Sequence, residues 1–217
     1  MSEINDKINA GNFSEWLRET RISLKTSDGI NVPCGDCTGC CSSSYFIHIK
    51  PNETETRNHV PSALLFPAPG LPAGNSVLGY DEHGNCPLFK NGRCSIYNYR
   101  PETCRHYDCR IFTATGVEMD GNREVISKKI KNWSFSFPDE LDISEFNAVK
   151  TCAGFIIENS KKFSKGFIPH NSTQLAVLAI KVYRVFMNLK PDTLCDEKTR
   201  LRIISSIEDE SEKFDKE

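Results

Sequence analysis

The stretch "NVPCGDCTGCCSSS", from Asn31 to Ser44, carries four cysteines within eight residues, and the last two are adjacent. In a Cys-x-x-Cys turn, residues i and i+3 direct both sulfur atoms at one ion, which is why structural zinc sites use this spacing. Gly35 and Gly39 lie between the thiols and supply the backbone freedom that a tight loop around a metal requires. The stretch therefore predicts an irregular, metal-binding loop.

A second group of four cysteines follows after a gap of 44 residues, so that the full pattern is C-x2-C-x2-C-C and then C-x7-C-x9-C-x4-C. The predicted ligands are Cys34, Cys37, Cys40, Cys41, Cys86, Cys94, Cys104 and Cys109. Neighbouring side chains diverge along the chain, so Cys40 and Cys41 are better placed to serve two centres than one. Eight thiolates would fill two tetrahedral zinc sites or hold two iron-sulfur clusters. The run Cys34, Cys37, Cys40 also matches the opening of bacterial ferredoxins, which favours iron slightly over zinc.

The composition is typical of a folded, soluble protein: 217 residues, 38% hydrophobic, 26% charged and a formal net charge of −2. This charge requires neither a nucleic acid nor an anionic membrane as partner. We find no apolar run long enough to span a bilayer, and the polar start "MSEINDKINAGNF" is unlike a signal peptide. We therefore expect a cytoplasmic protein whose cysteines are reduced and bind metal or do redox chemistry, with a disulfide scaffold as the less favoured alternative.

Charged residues surround the second cysteine group. Four thiolates on one zinc dication leave a net charge of about −2, which nearby cations would balance while donating hydrogen bonds to the sulfur atoms. Arg100 and Arg105 flank Cys104 and are candidates for this role or for orienting a substrate, although a solvated basic face remains an equal alternative. His106 and Asp108 are candidates either for metal ligation or for hydrogen bonding to a ligand.

The remaining pattern predicts an α+β fold in which flanking helices cover a loop-rich cysteine core. We expect an N-terminal helical flank in residues 1–30 with Asn12 as a possible cap, a metal-binding domain in 31–110, and short strands followed by helices in 111–217. The segment Pro61–Gly79 has four prolines and three glycines, and we interpret it as a lid, a partner-contact loop or an ordinary surface loop. Cys152 and Cys195 are expected to pack as small hydrophobic residues.

The set "CGDCTGCC" with "CPLFKNGRCSIYNYRPETCRHYDC" resembles the cysteine-cluster family named for its CxxCxxCC motif, the YkgJ type, described as a zinc- or iron-chelating domain. The resemblance covers about residues 31–110 and includes the Cys86-Pro87 pair and the Arg100-Pro101 pair. It implies metal-ligand roles for all eight cysteines. It implies no settled reaction, although flagellin lysine N-methylase looks to carry a similar cluster.

Three functions therefore remain open. The first is a metal-dependent enzyme, such as a protein-lysine methyltransferase-like activity, acting on an unidentified small molecule or protein. The second is a structural zinc module that binds a partner. The third is a module for metal storage, metal delivery or redox sensing. In all three, the expected cofactor is an iron-sulfur cluster or zinc or iron ions.

Overall fold

The computed structural model describes residues 7–26, 28–121, 123–187, 189 and 196–217, so Cys195 lies outside the described residues. The fold is α+β, as predicted. The strands are β1 (Ile8–Asn12), β2 (Ile47–Ile49), β3 (Leu65–Pro67), β4 (Ser76–Leu78), β5 (Phe89–Lys90), β6 (Arg93–Cys94) and β7 (Trp133–Ser136). The α-helices are α1 (Phe13–Ser23), α2 (Thr54–His59), α3 (Glu102–His106), α4 (Arg110–Thr115), α5 (Glu124–Asn132), α6 (Glu140–Glu158), α7 (Ser172–Val182) and α8 (Glu197–Lys216). Short 3-10 helices cover Gly39–Cys41, Ser62–Leu64, Tyr97–Tyr99, Ser160–Lys162 and Tyr183–Phe186.

The chain forms two compact units. The first contains the described residues of Met1–Lys25, Cys109–Gly121 and Ile130–Glu217, and the second those of Thr26–Asp108 and Asn122–Lys129. The second unit therefore starts a few residues before the predicted metal-binding domain, ends just before Cys109, and takes in a further segment of eight positions. Among the described residues, no helix is both long and apolar enough to cross a bilayer.

The first unit is built around the junction of β1 and α1. β1 pairs in parallel with β7, from Ile8 opposite Trp133 to Asn12 opposite Ser136. The predicted cap is confirmed, since the Asn12 side chain accepts the backbone N–H of Glu15 at 2.8 Å. Phe13 is fully buried and its ring meets that of Phe135 edge to face, with centroids 5.1 Å apart. Such an aromatic pair adds about 0.5–1.5 kcal/mol to the energy of burial alone.

Helix α6 shows how the C-terminal helices contribute to this core. Val149, Cys152 and Ile156 follow the helical period and are all fully buried, so Cys152 packs as a small hydrophobic residue, as predicted. The sequence also suggests Ser144 as a possible cap of this helix, and that prediction is wrong. The cap is Asp139, five residues earlier, because Asp139 and Asp142 form a capping box in which each side chain accepts the backbone N–H of the other.

The second unit contains a three-stranded antiparallel sheet in the order β2-β4-β3. Ile47 and Leu65 both pair with Leu78, which is almost fully buried. The small core of this unit comprises Ile47, Ile49, Val60, Leu78, Leu88 and Ile96, with Cys86, Cys94 and Cys104 packed against it. Three of the four cysteines of the second sequence group therefore pack against a hydrophobic core.

Two parts of the secondary structure differ from expectation. Pro61–Gly79 is not a structureless lid or loop, because its ends form β3 and β4, which the backbone bond from Ala68 N–H to the Asn75 carbonyl (3.0 Å) helps to join. The sequence predicts one or two strands within residues 111–138; among the described residues of this region β7 is the one strand, and α5 precedes it. Ile126 and Ile130 lie one helical turn apart in α5, and Ile126 is buried, which explains the helix.

Candidate functional site

Seven of the eight predicted cysteine ligands line one cavity of about 530 Å³ in the second unit. These are Cys34, Cys37, Cys40, Cys41, Cys86, Cys94 and Cys104. Both cysteine groups contribute to it although 44 residues separate them in sequence. The fold of this unit thus brings together thiols that local structure alone would leave apart.

Backbone hydrogen bonds explain why Cys41, Cys86 and Cys94 converge. Cys41 ends the 3-10 turn Gly39–Cys41, and its carbonyl accepts the N–H of Cys86 at 2.7 Å. The carbonyl of Cys86 then accepts the N–H of Phe89 at 2.8 Å, which starts the β5-β6 hairpin. In that hairpin Phe89 pairs directly with Cys94. Three sulfur-bearing residues are therefore joined by a short, continuous set of main-chain contacts.

Cys104 reaches the same place from helix α3. The hydroxyl of Thr103 donates to the carbonyl of His48 in β2 at 2.8 Å, and the N–H of Glu102 donates to the Glu53 carboxylate at 2.6 Å. Glu53 also accepts the N–H of Lys50 at 2.8 Å. These bonds hold the short helix on the sheet, so that Cys104 packs against the core of the unit.

Electrostatics shows that four of these thiols are neighbours. Burial, with added repulsion from Cys86 and Cys94, raises the pKa of Cys41 to about 11. Burial raises the pKa of Cys104 to about 12, with further increases from Cys86 and Cys41 and an opposing effect of Arg100. Burial also raises the pKa of Cys86, and Cys94 adds to the increase. We call Cys41, Cys86, Cys94 and Cys104 the four-thiol set. Without a bound cation, the raised pKa values of Cys41, Cys86 and Cys104 favour the neutral SH form of these three thiols.

Cys34, Cys37 and Cys40 also line the cavity, and Cys37 adds to the increase in the pKa of Cys41. A turn joins the first two, with the N–H of Cys37 donating to the Cys34 carbonyl at 3.1 Å, and Lys129 Nζ donates to the same carbonyl at 3.2 Å. Gly39 lies against α5, where a Cβ would stand 3.2 Å from that of Ile126. Close packing therefore favours glycine at this position. The positive φ that would need backbone freedom occurs at Gly35 (56°) and not at Gly39.

Cys109, His106 and Asp108 are not among the described residues that line the cavity. Cys109 is 5% exposed and its sulfur accepts the indole N–H of Trp133 at 3.1 Å within the first unit. Asp108 is buried. His106 is partly exposed, but its Nε2 atom is buried and meets no hydrogen-bond partner in the described part of the chain. The ligand or supporting roles of these three residues stay predictions.

Both predicted arginines line the cavity. The guanidinium of Arg100 stacks on the ring of Tyr97 at 4.1 Å, and its Nη1 donates to the Tyr97 carbonyl at 2.9 Å. Arg105 Nη1 donates to the Arg100 carbonyl at 3.1 Å, and its own carbonyl accepts the N–H of Ile30 at 3.0 Å. At Gly29 a Cβ would stand 2.9 Å from that carbonyl oxygen, so only glycine fits there. The two cations are held in place rather than free on the surface.

Sequence reasoning missed the aromatic residues of the cavity. Tyr45 and Tyr107 share a hydrogen bond of 2.8 Å between their hydroxyl oxygens, and Phe46 and Tyr97 line the cavity although their side chains are largely exposed. Tyr45 and Tyr107 lie 62 residues apart, so no local pattern pairs them. The aromatic composition of the segment was the available signal, but it does not tell which rings meet.

In the part of the chain that the structure describes, no group of three or more His, Cys, Asp or Glu side chains is arranged so that it could hold a metal ion. The chemistry of the four-thiol set nevertheless fits zinc or iron, which prefer sulfur ligands. The sulfur atoms would have to move toward an ion on binding, as is usual for sites that form together with their metal. In comparisons with known proteins, no family model, curated protein or solved structure matches this chain significantly, so the resemblance to the CxxCxxCC family stays a prediction.

Proposed function

We propose that this protein binds metal through thiolates, with Cys41, Cys86, Cys94 and Cys104 as the ligands of one centre. The observation that carries the proposal is that these four thiols line one cavity, where Cys86 and Cys94 lie close enough to raise the pKa values of Cys41 and Cys104. Four convergent sulfur donors are the ligand set of tetrahedral zinc sites and of iron-sulfur clusters. Three of them, Cys86, Cys94 and Cys104, pack against the core of the second unit, so the centre is part of the folding unit.

Electrostatics and the ligand chemistry of thiols both favour a metal cation in this cavity. Burial raises the pKa values of Cys41, Cys86 and Cys104, so these thiols give up their protons when a metal cation binds them, and binding is coupled to proton release. The closeness of Arg100 to Cys104 offsets part of the negative charge that the thiolates bring. Because free thiols in this number persist only under reducing conditions, we propose the cytosol as the compartment.

Cys34, Cys37 and Cys40 are proposed as ligands of a second centre. Their turn lies on the wall of the same cavity, and the adjacent Cys40 and Cys41 would then each belong to a different centre. The sequence also predicts Cys109 as a metal ligand. The indole N–H of Trp133 that reaches the Cys109 sulfur is a bond of the kind that supports metal-bound thiolates.

The test is metal and acid-labile sulfide analysis with a visible absorption spectrum, on protein purified without oxygen and without added metal. Iron with sulfide and a broad visible band would identify iron-sulfur clusters, and colourless protein with about two zinc ions would identify two zinc-thiolate sites. Cys94→Ser should lose the metal of the first centre alone. The matched control Cys152→Ala removes a buried thiol of the first unit and should leave the metal content unchanged. Protein that carries neither metal and takes up neither on reconstitution would refute the proposal.

A further inference from the structure

The cavity is larger than a metal centre alone requires. Its volume of about 530 Å³ compares with ~30 Å³ for one water molecule in the liquid. Cavities of about 300–1,000 Å³ are the range in which proteins bind small organic molecules. The thiols occupy only part of the wall, and the rest is made of aliphatic and aromatic side chains such as Leu88, Ile96 and Tyr45.

Two aromatic rings stand exposed on this wall. Phe46 is 66% exposed and Tyr97 is 62% exposed, although both line the cavity. The Phe46 ring lies 5.0 Å from the ring of Tyr80, and Arg100 stacks on the Tyr97 ring, so neighbouring side chains limit the orientations of both. Exposed and oriented rings of this kind offer flat apolar faces at little entropic cost to a ligand.

Apart from the cysteines, the charged side chains of the cavity wall are all positive. Arg100 and Arg105 line the cavity, and none of the described lining residues is Asp or Glu. A guanidinium has five N–H donors, and each of these two arginines makes one hydrogen bond to a backbone carbonyl. Donors therefore remain for an oxyanion, and the stacking on Tyr97 fixes the direction of one of the two groups.

We infer that the cavity binds a small organic anion with a flat apolar body, which Phe46 and Tyr97 contact and whose carboxylate or phosphate Arg100 and Arg105 bind. The inference deepens the proposed function, on which it rests for placing the ligand beside a metal-thiolate centre. It names the chemical class of the molecule that such a centre would meet.

Calorimetry on the metal-containing full chain measures the binding of two probes. One is naphthoate, and the other is naphthylmethanol, which has a similar shape but no charge. Naphthoate should bind more tightly, by about tenfold, because a charge-assisted hydrogen bond to a guanidinium is stronger than a neutral one. Arg105→Gln should remove most of this difference. Phe46→Ala should weaken the binding of both probes several-fold. The matched control Phe66→Ala removes a similarly exposed residue (57%) that does not line the cavity, and it should leave the binding of both probes unchanged.

Metal content is determined on the same samples, so that the two proposals can fail separately. Equal affinity for the two probes, no binding of either, or an equal effect of the two phenylalanine substitutions would overturn the ligand inference even if the protein holds metal. Discrimination in favour of naphthoate by a protein without metal would support the anion site and refute the metal centre. Because Phe46 is largely exposed, its replacement by alanine leaves the fold intact and keeps the test decisive.

Discussion

Asp142→Asn should destabilise the first unit strongly, because this carboxylate joins the starts of two helices. Asp142 is 0% exposed. Its Oδ1 accepts the N–H of Ser14 in α1 at 2.9 Å, and its Oδ2 accepts Asn12 Nδ2 and the N–H of Asp139, both at 3.2 Å. One side chain thus satisfies donors at the beginning of α1 and at the beginning of α6.

The magnitude follows from the donors that asparagine cannot serve. Its single carbonyl oxygen can replace one carboxylate oxygen, but the NH₂ group then faces an N–H donor that is left without an acceptor. Such an unsatisfied buried donor costs about 1–3 kcal/mol. The negative charge near each of two helix N-termini contributes a further ~0.3–1 kcal/mol per helix. We expect a loss of about 2–4 kcal/mol in the free energy of unfolding.

The assay is urea denaturation followed by tryptophan fluorescence. Both tryptophans, Trp16 and Trp133, are buried in the first unit and therefore report on it. Asp139→Asn is the matched control, because asparagine caps a helix as well as aspartate does and should change stability by less than about 0.5 kcal/mol. If the two substitutions have the same effect, the reasoning about Asp142 is wrong.

The same carboxylate predicts a pH dependence. Burial acts to raise the pKa of Asp142, but the hydrogen bonds from Ser14, Asp139 and Asn12 outweigh it, so that the pKa lies below its ordinary value. A lowered pKa in the folded state means that the ionised group stabilises the fold above the unfolded pKa of about 4. This stabilisation is lost as the pH falls through the lower folded value. The difference in stability between the native protein and Asp142→Asn should accordingly shrink below about pH 4.

Further predictions concern the cavity and the thiols. Gly29→Ala should cost about 1–3 kcal/mol in the second unit, since its Cβ would stand 2.9 Å from the Arg105 carbonyl oxygen; circular dichroism during urea unfolding measures this, and a neutral effect would contradict the contact. Trp133→Phe should remove the hydrogen bond to Cys109 and lower the free energy of unfolding by about 1 kcal/mol. The NMR resonances of the Cys109 β-protons should shift as well, and unchanged resonances would argue against the bond. Removal of the thiolate-bound metal by a chelator should lower the melting temperature, because a ligand at 100 times its dissociation constant stabilises the folded state by about 2.7 kcal/mol. An unchanged melting temperature after complete metal removal would contradict a structural metal centre.

Local elements could be predicted where one short segment contains all the interactions that decide it. α1 is such a case: Asn12 accepts an N–H three residues later, and Phe13 and Trp16 bury the same face. The strand Trp133–Ser136 likewise follows from its alternation of buried and exposed residues. Helix α5 was missed because the short apolar spacing of its two isoleucines is compatible with more than one secondary structure.

Local sequence patterns could not predict which strands pair when they are far apart in sequence. β3 and β4 have three residues each, and β4 is the central strand, paired with β3 on one side and with β2 on the other. A helix and irregular chain separate β2 from β3 and β4 in sequence. A segment rich in proline and glycine therefore looked like a loop although β3 and β4 within it are hydrogen-bonded in a sheet. Strands of this length carry too little local signal to be recognised without their neighbours.

By itself, the sequence determined that this is an α+β protein with an unusual number of closely spaced thiols, because periodicity and cysteine spacing are local properties. Only the tertiary structure decided which thiols meet. Three features bring four of them together: the backbone hydrogen bond from Cys86 to Cys41, the β5-β6 hairpin, and the packing of α3 on the sheet. Cys109 instead contacts Trp133. Apart from the hairpin, these contacts join residues tens of positions apart, and they form only once the chain has folded and buried its core.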